Sequence, residues 1–415
     1  MATSEYSIKE LEGKSFPSPE IAQCPYALYS ELRKHAPVYR LPSGEYVVTR
    51  HIDVARLARQ PEVLSSHHSV SDDGWMRAGT LADLSVPGRA WAIGTSDPPE
   101  HSLKRKLAFE MFKPGRLQER ETLIRELSNE LLDDFADRGS CEFVAAFASL
   151  LPAKVILILF GLPLDHLSRA LSWGRYEGFG SRFAPRDSQI SARAGILDLG
   201  AFLREEILKR VDSPGDDGLS VFVHSHLRAR GELMLPDLIA DATNLFIGGI
   251  ITTTHLISSM MMLMLQYPDQ QEKARAGGPA LKRAVEETLR IESPVQALPR
   301  LAVQDLEVGG TPIPAGSIVF LVWGSANRDE RTFGDPERFN IERENVKDHM
   351  AFGNGIHFCL GAPLARMEAV IAFEQIFDRL DAIRFPPGEV RLRNQNAALF
   401  RGPDKLFIEF DPRSM

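Results

Sequence analysis

Between Leu245 and Leu265 the chain carries no Asp, Glu, Lys or Arg and is apolar nearly all round. This stretch sits within Pro236–Tyr267, which reads as one helix. Pro236 suits a first turn, Asp237 and Asp241 complement its positive end, and Pro268 stops it. Thirty-two residues at about 1.5 Å each span ~48 Å, and a helix apolar on every side has to run through an interior. The rest of the fold is therefore built around it. Its middle, Ile247-Gly248-Gly249-Ile250-Ile251-Thr252-Thr253-Thr254, is weak, because each glycine costs about 1 kcal/mol relative to Ala and a β-branched run follows. Thr252 comes four residues after Gly248, so its hydroxyl competes for the Gly248 carbonyl and bends the helix, opening a groove. The other reading is that two glycines allow close helix packing while the threonines bond their own backbone.

Around that helix the pattern is mostly α with a small β-rich region. Helix-length periodicity covers Glu119–Ala136, Leu151–Phe160, Ala192–Arg210 and Pro279–Ile291, with a shorter helix at Tyr26–His35. A hairpin is expected from Val38–Leu41 and Tyr46–Thr49, turned by Pro42, Ser43 and Gly44, and β signals recur in Leu306–Val322 and Leu406–Phe410. Over 415 residues no linker-like stretch divides the chain, so a single domain, 1–415, is expected. Forty-eight basic against 56 acidic residues leave a net charge of −8, which argues against a general nucleic-acid or anionic-membrane binder. Phe143–Leu164 is apolar but broken by Pro152 and Lys154, and Met1–Glu10 has no apolar run, so neither a membrane span nor a secretory signal is expected. The expected setting is cytoplasmic.

Cys24, Cys141 and Cys359 are too few and too scattered for a disulfide framework. Only Cys359 has unusual surroundings: Ala351-Phe352-Gly353-Asn354-Gly355-Ile356-His357-Phe358-Cys359-Leu360-Gly361-Ala362-Pro363-Leu364-Ala365-Arg366. Gly353 and Gly355 permit backbone geometry closed to other residues, and Pro363 suits the first turn of a helix from about Leu360. Exposed amides and the positive end of that helix favour a thiolate, the form that ligates metal. A plain buried cysteine and a His357/Cys359 zinc site are the alternatives, but no Cys-x-x-Cys or His-x-x-x-His stands elsewhere to complete four ligands. With one protein thiolate the metal has to bring most of its own ligands, as haem iron does.

Phe352-x-x-Gly355-x-x-x-Cys359-x-Gly361 resembles the haem-binding signature of the cytochrome P-450 superfamily. Three further segments match that family in order: Gly248-Gly249-x-x-Thr252 its oxygen-binding helix, Glu287-Thr288-Leu289-Arg290 its ExxR helix, and Asp335-Pro336-Glu337-Arg338-Phe339 the segment that follows. The resemblance implies a structural triad of Glu287, Arg290 and Arg338 behind the cysteine loop. It implies haem b with Cys359 as the iron ligand, His101, Arg105, Arg300 and His357 on the haem carboxylates, and Phe352 and Gly361 in the loop.

The implied activity is monooxygenation, hydroxylation or oxidative dealkylation, of an apolar organic substrate with O2. In it Gly248 and Gly249 leave room for dioxygen and Thr252 helps deliver protons. Asn244, Ile247, Leu298, Ala398, Leu399 and the loop from Trp75 to Ile93 would line the pocket, although Asn244 suits a bond to neighbouring backbone equally. No flavin or iron–sulfur segment is legible, so electrons are expected from a ferredoxin and an NAD(P)H-dependent ferredoxin reductase. Lys104, Arg105, Lys106, Lys113 and Arg116, with Arg366, form either a docking face for that acidic partner or a solvated helix face. One position departs from the family: Ile251 stands where an acid usually relays protons to the threonine. Water, the substrate, Thr253 or His255 would then have to serve. Atypical haem-thiolate oxidation, such as peroxygenation, coupling or nitration, is the alternative activity, and a non-catalytic haem-thiolate binder the alternative class.

Overall fold

The computed structural model describes residues 24–67, 92–174, 186–388 and 399–412. The helices that frame the site are α1 (Tyr26–His35), α2 (His51–Leu57), α3 (Glu100–Phe109), α4 (Pro114–Asp133), α5 (Leu150–Leu159), α6 (Arg186–Asp212), α7 (Gly218–Arg230), α8 (Leu235–Gly248), α9 (Ile251–Gln266), α10 (Gly278–Ile291) and α11 (Ala362–Arg379). The expected helices near 26, 151 and 279 start within a residue of those positions, because proline or an apolar face marks each one locally. Helix α4 starts five residues before the periodic pattern does, with Pro114 in its first turn, and α11 starts at Ala362, two residues past the expected Leu360.

Among the described residues ten short strands form three sheets. Strands β1 (Val38–Arg40), β2 (Tyr46–Val48), β3 (Leu64–Ser65), β5 (Leu298–Ala302) and β8 (Ile318–Leu321) lie in the order β1-β2-β8-β5-β3. Strand β4 (Ser140–Glu142) pairs with β10 (Phe407–Pro412), which also pairs with β9 (Leu380–Arg384), while β6 (Leu306–Val308) and β7 (Thr311–Ile313) make a hairpin. The β1–β2 hairpin is antiparallel as expected, turned through Gly44 at φ +106°. Its second strand runs parallel to β8, so residues about 270 apart are joined edge to edge and β5 is held beside them.

The long apolar segment is two helices, not one. Gly249 and Ile250 separate α8 from α9, and their amides reach only the third residue back, Phe246 and Ile247, at 3.3 Å each. Thr252 Oγ1 donates to the Gly248 carbonyl at 2.7 Å, so the hydroxyl occupies an acceptor the helix would otherwise use. Every residue from Thr253 to Leu265 is buried. By length and composition Leu235–Gln266 is apolar enough to cross a membrane, but 72% of its apolar window is covered by protein. It is the core helix of this fold, packed among α5, α10 and α11.

Behind the cysteine loop lies a buried ion network, and here the structure corrects the sequence. Glu287 and Arg290 are fully buried and bonded at 2.7 and 2.9 Å, but the third partner is Arg343, whose Nε lies 3.1 and 3.2 Å from the two Glu287 oxygens. Arg338 is exposed, and only its carbonyl takes part, accepting from Arg290 and Arg343 at 3.2 and 3.1 Å. The cause is the turn at Asp335, whose φ of +47° brings the carbonyls of 334–338 inward and leaves Arg338 outside. Removing one member of a buried pair strands the other's charge at a cost of about 3–5 kcal/mol. Arg343→Met is therefore expected to lower the free energy of unfolding in urea by about that amount, whereas exposed Arg338→Met should stay within ~0.5 kcal/mol. Equal effects would restore Arg338 to the triad.

Candidate functional site

The cysteine loop is shaped by two glycines. Gly353 and Gly355 sit at φ +74° and +73°, a region costly for other residues, and a Cβ on Gly355 would lie 2.3 Å from the Ala58 carbonyl beyond α2. Asn354 Oδ1 accepts from Arg59 Nε at 3.0 Å and from the Gly355 amide at 2.7 Å, and the Cys359 amide closes the loop on the Phe352 carbonyl at 2.8 Å. Phe358 and Cys359 are exposed, yet protein surrounds the sulfur closely enough to desolvate it. Burial pushes the Cys359 thiol up, against the Gly361 and Ala362 amides and the charges of Arg105 and Arg366, which favour the thiolate. The protein alone leaves the sulfur protonated; a metal cation on it would tip that balance to the thiolate.

Arg366 does not serve a solvent face. It forks onto Glu286 of α10 at 2.6 and 2.9 Å and stacks 4.5 Å over the Phe352 ring. Burial opposes the Glu286 charge, but hydrogen bonds from His349 and Arg366 outweigh it and hold the carboxyl down at about 2. The loop is thus braced to α10 through its own phenylalanine.

Four basic side chains converge beside the loop. The His101 ring of α3 lies 4.3 Å from that of His357, whose Nε2 is 3.0 Å from Ser66 Oγ. The Ser66 amide in turn donates to Asp97 at 3.0 Å. Burial, then Arg300, His101 and Arg105, drive the His357 pKa down to about 2. Arg300, buried on β5, is lowered to about 10 by burial, with Asp97 opposing, and Arg105 is lowered by burial. Burial lowers both arginines, and burial together with the neighbouring basic groups lowers both histidines. An anion with two carboxylates would give these desolvated donors their counter-charge, and a metal carried by such an anion meets the sulfur's need for a cation. Sequence reasoning named these four residues but missed Ser66 and Asp97, which orient them; Asp97 opens the segment that carries His101.

On the α8 side the two glycines separate in role. A Cβ on Gly248 meets nothing within 4 Å, whereas one on Gly249 would lie 2.8 Å from Ile156 Cδ1 of α5. Gly248 opens onto free space; Gly249 is a packing glycine, which corrects the expectation that both leave room for a small molecule. Thr252 is half-buried near that opening. His255 is buried with its ring against Gly402, and desolvation, then Arg401, lowers its pKa to about 4. Thr253 is buried as well, and among the described residues neither bonds the Thr252 hydroxyl, which is held on Gly248.

The expected pocket residues divide likewise. Asn244 Oδ1 accepts from the Gly94 amide at 3.3 Å, and its amide nitrogen has no partner among the described residues. Leu298 is half-buried at the start of β5. Ile247 is 1% exposed within the helical core, and Leu399 packs in a cluster with Tyr29, Ala297 and Phe320, so both are core residues, not pocket walls. Ala398 and residues 75–91 of the expected Trp75–Ile93 loop lie outside the described residues, and Ile93 at its end is buried. Lys104 is also corrected: it is buried on two aspartates of α8, not part of a basic face. Lys106, Lys113 and Arg59 are exposed, and Arg105, Lys106, Phe109, Gly355 and Ile356 border a surface depression.

Residues 278–410 match the family description cytochrome P-450. The 6-deoxyerythronolide B hydroxylase of Saccharopolyspora erythraea is 33% identical over 396 residues, covering 93% of this chain and 96% of that protein. The steroid C26-monooxygenase of Mycobacterium tuberculosis is 32% identical, covering 93% and 94%. Among solved structures, myxobacterial cytochrome P-450 CYP267B1 in complex with myristic acid superposes with a TM-score of 0.86 at 30% identity, covering 97% of this chain and 99% of that one. CYP109E1 of Bacillus megaterium in complex with testosterone gives 0.84 at 28% identity, covering 94% and 99%.

The contrast between the glycines is testable by thermal unfolding. Gly249→Ala is expected to lose about 1–3 kcal/mol through overpacking on Ile156. Gly248→Ala should gain about 0.5–1 kcal/mol, since a helical alanine costs less chain entropy. Destabilisation by both changes would contradict the assignment of Gly248 to open space.

Proposed function

This chain belongs to the cytochrome P-450 family and is a haem-thiolate monooxygenase; from that premise we propose that it inserts one oxygen atom of O2 into an apolar organic substrate, with electrons from a separate ferredoxin and its NAD(P)H-dependent reductase. The observation that carries the reading is the convergence of a desolvated cysteine and four desolvated basic side chains, a donor set that suits haem. Cys359 would hold the iron, and His101, Arg105, Arg300 and His357 the two carboxylates of haem b. Bound there, haem supplies dioxygen activation, with thiolate ligation favouring O–O cleavage.

The chain's own residues do the rest. Thr252 commits its proton to the Gly248 carbonyl, so its oxygen offers lone pairs and accepts a hydrogen bond from a protonated oxygen beside Gly248. Ile251 carries no proton, and His255 is turned toward Gly402, which leaves water or the substrate's own hydroxyl as the proton source. The Asn244 amide nitrogen is a donor beside the 92–95 turn, suited to one carbonyl or hydroxyl on an otherwise apolar molecule. Relatives named for a steroid, and structures holding testosterone or myristic acid, support a substrate of that class. For the electron donor, Arg105 and Lys106 beside exposed Phe109 suit an acidic partner, since rim charges steer association. A single haem domain over 1–415 in a cytoplasmic setting completes the reading.

The test is the spectrum of the reduced protein under carbon monoxide. Wild type is expected to give the red-shifted Soret band of thiolate-ligated haem, and Cys359→Ser to lose that band while still binding haem through the basic groups. A histidine-ligated spectrum in wild type would overturn the ligand assignment.

A further inference from the structure

Helix α3 carries two kinds of basic residue. His101 and Arg105 stand at i and i+4 on one face, toward His357. Lys104 lies about 60° around the helix from His101 and about 100° from Arg105, and its side chain is 1% exposed. Its ammonium donates to Asp237 Oδ1 and Asp241 Oδ2 of α8, both at 3.0 Å. Asp241 is fully buried, its Oδ1 has no hydrogen-bond partner, and the nearest histidine nitrogen, His226 Nε2, is 3.9 Å from Oδ2. Lys104 is therefore the cation that balances it.

A buried ion pair of this kind is poor evidence for stability, because apolar residues of the same volume often do as well. What it adds is direction. Asp237 and Asp241 are one turn apart on α8, so a lysine gripped by both fixes the roll and the height of α3, where apolar contact would tolerate sliding. Glu100, the first residue of α3, is tied to Arg230 at the end of α7. Any roll that freed Lys104 would swing His101 and Arg105 together.

We propose that Lys104 is a positioning residue for the haem: held by Asp237 and Asp241, it aims His101 and Arg105 at the haem carboxylates and couples them to α8, the helix that ends at Gly248. The proposal rests on the reading of His101 and Arg105 as carboxylate partners. Sequence offered no sign of it, since Lys104 lies among four other basic residues and its acidic partners are more than 130 positions away.

The experiment measures transfer of haem from the holoprotein to excess apomyoglobin, together with the reduction potential of the bound haem. Lys104→Gln/Asp241→Asn removes both buried charges while keeping volume, and is expected to lose haem about tenfold faster, as loss of outer-shell support does at other metal sites, with a shifted potential. Lys104→Arg should restore slow loss. As a control, Lys154→Met removes another buried lysine, paired with the exposed carboxylate of Glu130 at 2.8 Å, and should leave haem loss and potential unchanged. If the double variant keeps haem like wild type while His101→Ala and Arg105→Ala lose it faster, positioning by Lys104 is wrong. If those two alanine variants also keep haem like wild type, the carboxylate reading fails and the proposal with it.

Discussion

Burial opposes the ionisation of Cys359, while two backbone amides and two arginines favour it, and the surrounding structure maintains that opposition. The amides come from the first residues of α11, so the helix has to begin where it does. The loop that delivers the sulfur has to reverse through positive φ twice, at Gly353 and Gly355, and press its backbone against Ala58. A sulfur in this state is unreactive without a cation and becomes a strong ligand with one. The basic groups beside it have the complementary problem, each charge opposed by burial until an anion arrives. One planar group with a metal at its centre and carboxylates at its edge answers both demands, which is why the site suits haem and not an isolated ion.

Rigidity around that loop comes from charged groups in unusually dry places. Arg366 joins Glu286 and covers Phe352, and the next residue, Glu287, holds Arg290 and Arg343. Arg290 and Arg343 then gather the backbone carbonyls of the 334–338 turn. Carbonyls stripped of water need donors, and two guanidinium groups supply several each. The network thereby shapes irregular backbone that has no sheet or helix of its own to satisfy it.

Local chemistry was legible in the sequence, and sidedness was not. The cysteine loop could be read because glycine spacing, a single sulfur and a helix start lie within sixteen residues. The break in the core helix could be read because Thr252 and Gly248 are four apart. Gly249 was misassigned because what fills its side is Ile156, on a helix almost a hundred residues earlier. Arg343 displaced Arg338 because one residue with positive φ turned the intervening carbonyls inward. Lys104 looked like surface charge until α8 supplied its partners, and His255 looked available until residue 402 closed over it. Of the expected pocket residues, Asn244 bonds the Gly94 amide and Leu298 is half-buried, while Ile247 and Leu399 belong to the core.

The central claim is that Cys359 and the four basic residues serve one bound group. Anomalous diffraction at the iron edge, from crystals of the protein purified with its haem, tests it most directly. The account predicts an iron peak within bonding distance of Cys359 Sγ, with the porphyrin carboxylates among His101, Arg105, Arg300 and His357. Iron bonded to a histidine, or carboxylates turned away from all four basic groups, would contradict it.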